Sequence, residues 1–183
     1  MKFFSLEHSP IAYAADFVAY PAIILGGFVA ILAYTPTSRW PVLAAIVVLG
    51  LMAWTLIEYG LHRLVLHGLQ PFKRWHEEHH NRPHALIGTS TPASMALFAI
   101  LIFAPIALST DIWYATAATI GVTSGYLFYV TVHHALHHWR AKNGTWFYDL
   151  KRAHALHHRP GFVGYYGVTT LFWDKVFTRH HAS

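Results

Sequence analysis

Two stretches of this 183-residue chain repeat one pattern, His-x-x-His-His beside arginines. RWHEEHHNRP, from Arg74, carries His76, His79 and His80. RAHALHHRPG, from Arg152, carries His154, His157 and His158. EYGLHRLVLHG adds His62 and His67, and VHHALHH adds His133, His134, His137 and His138. Neutral imidazole binds iron, zinc, copper and nickel. In a helix, positions i, i+3 and i+4 lie on one face. His76/79/80 are therefore expected to converge, as are His154/157/158. His133 and His137 are one turn apart, as are His134 and His138. His62 and His67 stand about 140° apart on an ideal α-helix. Either the helix loosens before Gly68, or the two rings approach a site from different angles.

The four clusters supply about ten ligands, more than one tetrahedral zinc needs. Two metals fit the count, with iron or zinc the natural candidates. His134 and His138 are ambiguous, as ligands or as partners that orient ligands. His8, His84, His180 and His181 stand apart from the repeats and are expected at the surface. The chain has no cysteine. That excludes disulfides, zinc–thiolate sites, iron–sulfur clusters and thiol catalysis. Any metal is left to His, Asp or Glu.

The elements that position these histidines are apolar. Hydrophobic residues make up 55% of the sequence and charged residues 11%, against about 25% charged in a soluble domain. Stretches at about 17–38, 41–66, 90–108 and 112–137 are expected to be membrane helices, since about 20 residues cross roughly 30 Å of hydrocarbon. The third is short and contains Pro105, so a kink or a partial span is expected. Pro36 sits in a tight turn after the first helix. Ser109-Thr110-Asp111 makes a second turn with capping residues for the fourth. Glu7 and Asp16 precede the first apolar run without a basic region, so no cleaved signal peptide is expected. The expected fold is all-α. It is a single domain over 1–183, an integral-membrane bundle of about four helices with a histidine-rich helical cap at 68–89 and 138–183.

Charge orients this bundle. Two hairpins put every Lys and Arg except Arg39 on the side of the histidine clusters. The positive-inside rule makes that side cytoplasmic. Short basic blocks between apolar runs suit a membrane face, and no nucleic-acid partner is expected.

HRLVLH, HEEHH, HHALHH and HALHH, in that order, with GVTTLFWDKVF from Gly167, resemble the fatty acid hydroxylase/sterol desaturase superfamily. HALIGTSTP, from His84, is similar to its bacterial members. The resemblance covers about Glu58 to Phe177. It implies an integral-membrane, O2-dependent enzyme with a histidine-bound di-iron centre, in a bacterial inner membrane. Carried over position by position, the ligands are His62, His67, His76, His79, His80, His133, His137, His154, His157 and His158. The resemblance also implies a lipid or fatty-acyl substrate and an external electron donor, cytochrome b5-like or ferredoxin-like. No cytochrome b5-like domain is expected ahead of the first helix. The chain has Val130 where fatty acid 2-hydroxylases carry an acidic residue, and Thr178-Arg179 after Phe177 where the family often has Gly-Thr.

Side chains alone do not split O2 and attack an unactivated C–H bond. The sequence has neither a Gly-x-Gly-x-x-Gly fingerprint nor a cysteine haem ligand. Tyr126 and Tyr129 share the helical stripe of His133 and line a substrate channel or pack as aromatics. Glu58 lies one turn before His62, where an unpaired carboxylate in the membrane is costly. It is expected to support the site. Asp174 either orients a ligand histidine or pairs with Lys175 or Arg179. A lipid desaturase and a beta-carotene hydroxylase are rivals within the superfamily. A metal transporter or metal-binding storage protein is the rival outside it, disfavoured because its ligands usually lie at the bilayer midplane; a structural membrane anchor with a basic, lipid-binding face is a third reading.

Overall fold

The computed structural model describes residues 7–177. Lys2, Arg179, His180 and His181 lie outside the described residues. Four helical stretches are long and apolar enough to cross a membrane: Pro10–Tyr34, Thr37–Leu66, Thr91–Ser109 and Ile112–His138. The chain divides into two compact units, Met1–Trp54 with Leu86–Leu127, and Thr55–Ala85 with Phe128–Ser183.

The first unit is built from apolar helices. Helices α1 (Pro10–Ala14) and α2 (Asp16–Tyr34) follow one another almost without a break. Thr35 ends α2 by turning its hydroxyl back to the Ile31 carbonyl, 2.7 Å away. A 3-10 turn, Thr37–Arg39, leads into α3 (Trp40–Gly60). Helix α7 (Ile112–His138) starts at a capping aspartate. Asp111 Oδ1 accepts from the backbone N–H groups of Trp113 and Tyr114, at 2.7 and 3.0 Å. Its Oδ2 pairs with Arg39 at 2.5 Å, tying the two short turns together.

Between them, α5 (Thr91–Phe98) and α6 (Ala104–Ser109) are joined by a π-turn, Ala99–Phe103. Proline lacks an N–H and its ring crowds the preceding turn. The wider i→i+5 winding, with Ala104 N–H on Ala99 O, accommodates Pro105 within a continuous helical path. Ile31, Leu43, Ala117 and Ile120 form the buried contact among α2, α3 and α7. A Cβ on Gly121 would meet the Val47 carbonyl and stand 3.0 Å from Gly50 Cα. Glycine at both positions is what lets α3 and α7 approach so closely. The outer faces carry exposed Val18, Leu25, Leu32, Val48, Leu97 and Ile100, a surface suited to lipid rather than water.

The second unit contains the ends of α3 and α7 and the remaining elements. Gly60 of α3 runs directly into a π-turn, Leu61–Leu66. Helix α4 is Phe72–Asn81 and α8 is Trp146–His157. Thr145 caps α8 by accepting from Tyr148 N–H at 3.2 Å. A segment without regular structure then leads to α9 (Phe172–Phe177). Val132, Leu136, Leu150 and Val168 form the core of this unit.

Candidate metal centre

All ten histidines expected as ligands lie in the second unit. They form two sets of five. His62, His67, His76, His80 and His157 make the first. His79, His133, His137, His154 and His158 make the second. Within each set the ligand nitrogens all lie within 4.8 Å of one another.

Local winding explains who joins which set. The π-turn hydrogen-bonds His67 N–H to His62 O at 3.2 Å, an i→i+5 bond. That loosening brings the two rings together, with centroids 5.1 Å apart. It settles the alternative the five-residue spacing left open. In each His-x-x-His-His repeat the three rings do not converge on one point. His76 and His80 join the first set and His79 joins the second; His154 and His158 join the second and His157 the first. At 100° per residue, i+4 returns to within about 40° of i, whereas i+3 falls about 60° short. The ring spacings follow: 4.6 Å for His76–His80 and for His154–His158, against 5.6 Å for His76–His79 and 5.9 Å for His154–His157.

The nitrogens face one another closely. In the first set Nε2 of His76 is 2.9 Å from Nε2 of His62 and 3.1 Å from that of His80. Nε2 of His67 is 3.1 Å from that of His157. In the second set Nε2 of His137 is 2.9 Å from that of His154 and 3.3 Å from that of His133. Two nitrogens about 2.1 Å from one cation, at right angles, stand about 3.0 Å apart. Buried nitrogens of His79 and His154 have no hydrogen-bond partner. A neutral imidazole carries one donor and one acceptor. Five converging imidazoles cannot satisfy one another, and a shared cation resolves the conflict in each set.

Burial keeps these rings neutral. It lowers His67 and His79 to about 4, and His80 and His158 to about 3, with neighbouring histidines adding to the effect. Burial also lowers His76, His154 and His157. Neutral imidazole is the metal-binding form.

Two first-set rings have their outer nitrogen engaged. His62 Nδ1 donates to Tyr166 O at 2.6 Å, and His157 Nδ1 donates to Gly164 O at 2.9 Å. Carbonyls only accept, so both rings carry the proton on Nδ1 and turn a bare Nε2 inward. Asp174 acts on this segment through the main chain. Its two oxygens accept from the N–H groups of Tyr166 and Gly167, at 2.8 and 2.9 Å. Burial raises its pKa, against the pull of those two donors. Glu58 grips the next residues, accepting from Val168 N–H, Thr169 N–H and the Thr169 hydroxyl at 2.7, 2.8 and 2.7 Å.

The remaining candidates take other places. Tyr129 stacks on His133, with planes 6° apart. Tyr126 belongs to the first unit. Its hydroxyl donates to Asp16 Oδ2 at 2.8 Å, and its ring packs 4.8 Å from that of Tyr20, one wall of a 180 Å³ apolar cavity. Asp16 Oδ1 accepts from Thr91 at 2.6 Å. This carboxylate is buried, and an acidic residue at the start of an apolar run is the sequence signal for such a paired group. His134 and His138 join neither set and stack on each other, centroids 4.4 Å apart. His84 lies 5.6 Å from His138, and His8 meets Gly88 O at 2.9 Å. A 250 Å³ cleft reaches the second set, lined by His84, Leu136, His137, Lys151, His154 and His158 among others.

Known proteins bear on this arrangement. The sequence family described as "Fatty acid hydroxylase" matches residues 47–179. The ceramide very long chain fatty acid hydroxylase scs7 of Schizosaccharomyces pombe is 34% identical, over 71% of this chain and 40% of its own length. A dihydroceramide fatty acyl 2-hydroxylase of Arabidopsis thaliana is 33% identical, over 75% of this chain and 61% of its own. The chain thus spans about half the length of these relatives. The solved structure of full-length scs7p, with only its hydroxylase domain visible, shares the fold. Its TM-score is 0.70 at 23% identity, covering 91% of this chain and 66% of that one.

Proposed function

The chain belongs to the fatty acid hydroxylase family, and we propose that it hydroxylates a fatty-acyl C–H bond of a lipid, using O2 and iron held by its ten clustered histidines. The observation that carries this reading is the sorting of those histidines into two five-nitrogen sets. Iron bound there supplies the O2 activation and one-electron chemistry that side chains lack. The overall reaction inserts one oxygen atom into C–H and releases the other as water. It consumes two electrons and two protons, so it needs an external donor, cytochrome b5-like or ferredoxin-like.

The chain's own residues prepare the site. Depressed pKa values keep the imidazoles neutral and ready to bind. His62 and His157 are 3% exposed and His154 is 2% exposed, which shields these rings from bulk water. The backbone carbonyls on His62 and His157 fix the orientation of two rings. Arg63, Lys73, Arg74, Arg82, Lys151 and Arg152 flank the histidines. That charge supports a cytoplasmic placement of the site, in the bacterial inner membrane that the resemblance implies.

The test supplies candidate acyl lipids, a reductant and 18O2 to the purified full chain, with mass analysis of the lipid. The expected product is heavier by one 18O atom. Loss of two hydrogens instead would make the enzyme a desaturase. An unchanged lipid together with metal-dependent, O2-independent flux in vesicles would replace the reading with a transporter.

A further inference from the structure

We propose that residues 164–169 form a strap, clamped by Glu58 and Asp174, that fixes the rings of His62 and His157 and so fastens the metal of the first histidine set alone. The inference rests on the proposed two-metal site and adds that the two halves are held differently.

The strap begins and ends in main-chain chemistry. Gly164 has φ +138°, a conformation that glycine tolerates and side chains resist. Its carbonyl receives His157 Nδ1–H, and the carbonyl two residues on receives His62 Nδ1–H. Both of those rings belong to the first set. Around the second carbonyl stand four consecutive backbone N–H groups, from Tyr166 to Thr169. Each is held by a carboxylate: Asp174 takes the first two and Glu58 the last two. Gly167 is required for this. A Cβ there would stand 2.8 Å from Asp174 Oδ2 and press on the Thr170 carbonyl. Three strap-side groups, Glu58, Asp174 and Val168, are at most 5% exposed, so the clamp is not loosened by solvent.

The second set has no such anchor on two of its rings. Buried Nδ1 atoms of His79 and His154 lack a hydrogen-bond partner. Outer partners of metal-bound histidine fix tautomer and orientation, and losing one typically weakens metal binding roughly 10–100-fold. Glu58 and Asp174 are therefore positioning residues that act through two peptide carbonyls, on one set only.

The two carboxylates differ in what replaces them. Asp174 faces two N–H donors with two oxygens, so in Asp174→Asn one donor must face an amide NH2. In Glu58→Gln the amide oxygen still accepts from Val168 and Thr169 N–H, and the new NH2 donates to the Thr169 hydroxyl. Asn at 174 breaks the clamp, and Gln at 58 keeps it.

The test measures zinc affinity by competition with a chromophoric chelator, on the full chain in detergent. Zinc is redox-silent and histidine sites take it readily. His154→Ala/His158→Ala dismantles the second set; His62→Ala/His157→Ala dismantles the first. In the first background, Asp174→Asn is expected to weaken zinc roughly 10–100-fold and Glu58→Gln to leave it within about threefold. In the second background neither change has an effect, which also shows that the variants fold. Equal weakening in both backgrounds, or none in either, overturns the strap. Failure of both parent backgrounds and of the unaltered chain to bind zinc overturns the two-metal site itself.

Discussion

The two histidine sets are built on nearly the same plan and finished differently. Each takes a close pair from a membrane helix, an i, i+4 pair from one His-x-x-His-His repeat and the middle histidine of the other repeat. The first set draws its helix pair from a π-turn at the end of α3, and the second draws its pair from regular α-helix at the end of α7. The first is backed by the 164–169 segment and its two carboxylates. The second borders a 250 Å³ cleft. The lesson is that interlocking the repeats makes the sets share scaffolding, because α4 and α8 each serve both. Ring orientation is then set separately, by what stands behind each ring.

Removing one ligand from each set tests the shared plan most severely. His157→Ala and His158→Ala are neighbours at the end of α8, His158 as its cap, yet the two rings belong to different sets. Each is expected to lower bound metal from two towards one per chain and to reduce turnover at least a hundredfold, near the upper end of what lost metal-site partners cost. Membrane insertion should persist in both, since neither changes an apolar helix. Metal analysis and product formation in the two variants check this. His157→Ala that keeps both metals and full activity would remove that ring from the ligand list.

The next largest effect should come from the π-turn. Deleting Val65 converts the five-residue interval between His62 and His67 into four, the regular α-helical repeat. Both rings stay on one stripe, but the chain that leads from this turn to α4 becomes one residue shorter and is drawn back along the helix by about 1.5 Å. Gly68 and the approach to α4 would shift with it. A Cβ at Gly68 would already press on the Leu64 carbonyl, so this turn has little room to adapt. The expected outcome is loss of metal from the first set with the second retained, read as one zinc per chain in the competition assay. Retention of two would mean that the segment after the turn repacks without cost to the site.

Much of this was legible in sequence. The apolar runs announced the spans, because lipid-crossing helices need length and few charges, and both are written in composition. Asp111 announced the start of α7, since its carboxylate caps two N–H groups there. The histidine spacing announced which rings come together. The interlocking was not legible: i, i+3 and i+4 share a face, and the roughly 100° between i+3 and i+4 matters only when a second site exists to receive the odd ring. The strap was hidden for another reason. Its working groups at Gly164 and Tyr166 are backbone carbonyls, which every residue has. Glu58 and Asp174 stood out as carboxylates near histidines, but their partners are N–H groups 110 residues away in one case and seven or eight away in the other.

The smallest effect is expected one row over on α7. His133 and His137 belong to the second set, while His134 and His138 follow them by one residue and so face about 100° away. Structurally the second row is its own pair, stacked at 4.4 Å, with His84 beside His138. His134→Ala/His138→Ala removes two imidazoles as near in sequence to the site as any ligand, from a region already rich in them. If ligation follows direction rather than density, metal content stays at two per chain and zinc affinity moves by less than about threefold, a cost below 1 kcal/mol. A loss as large as that of His158→Ala would mean that α7 presents both rows to metal, and the second set would have to be redrawn with a wider mouth.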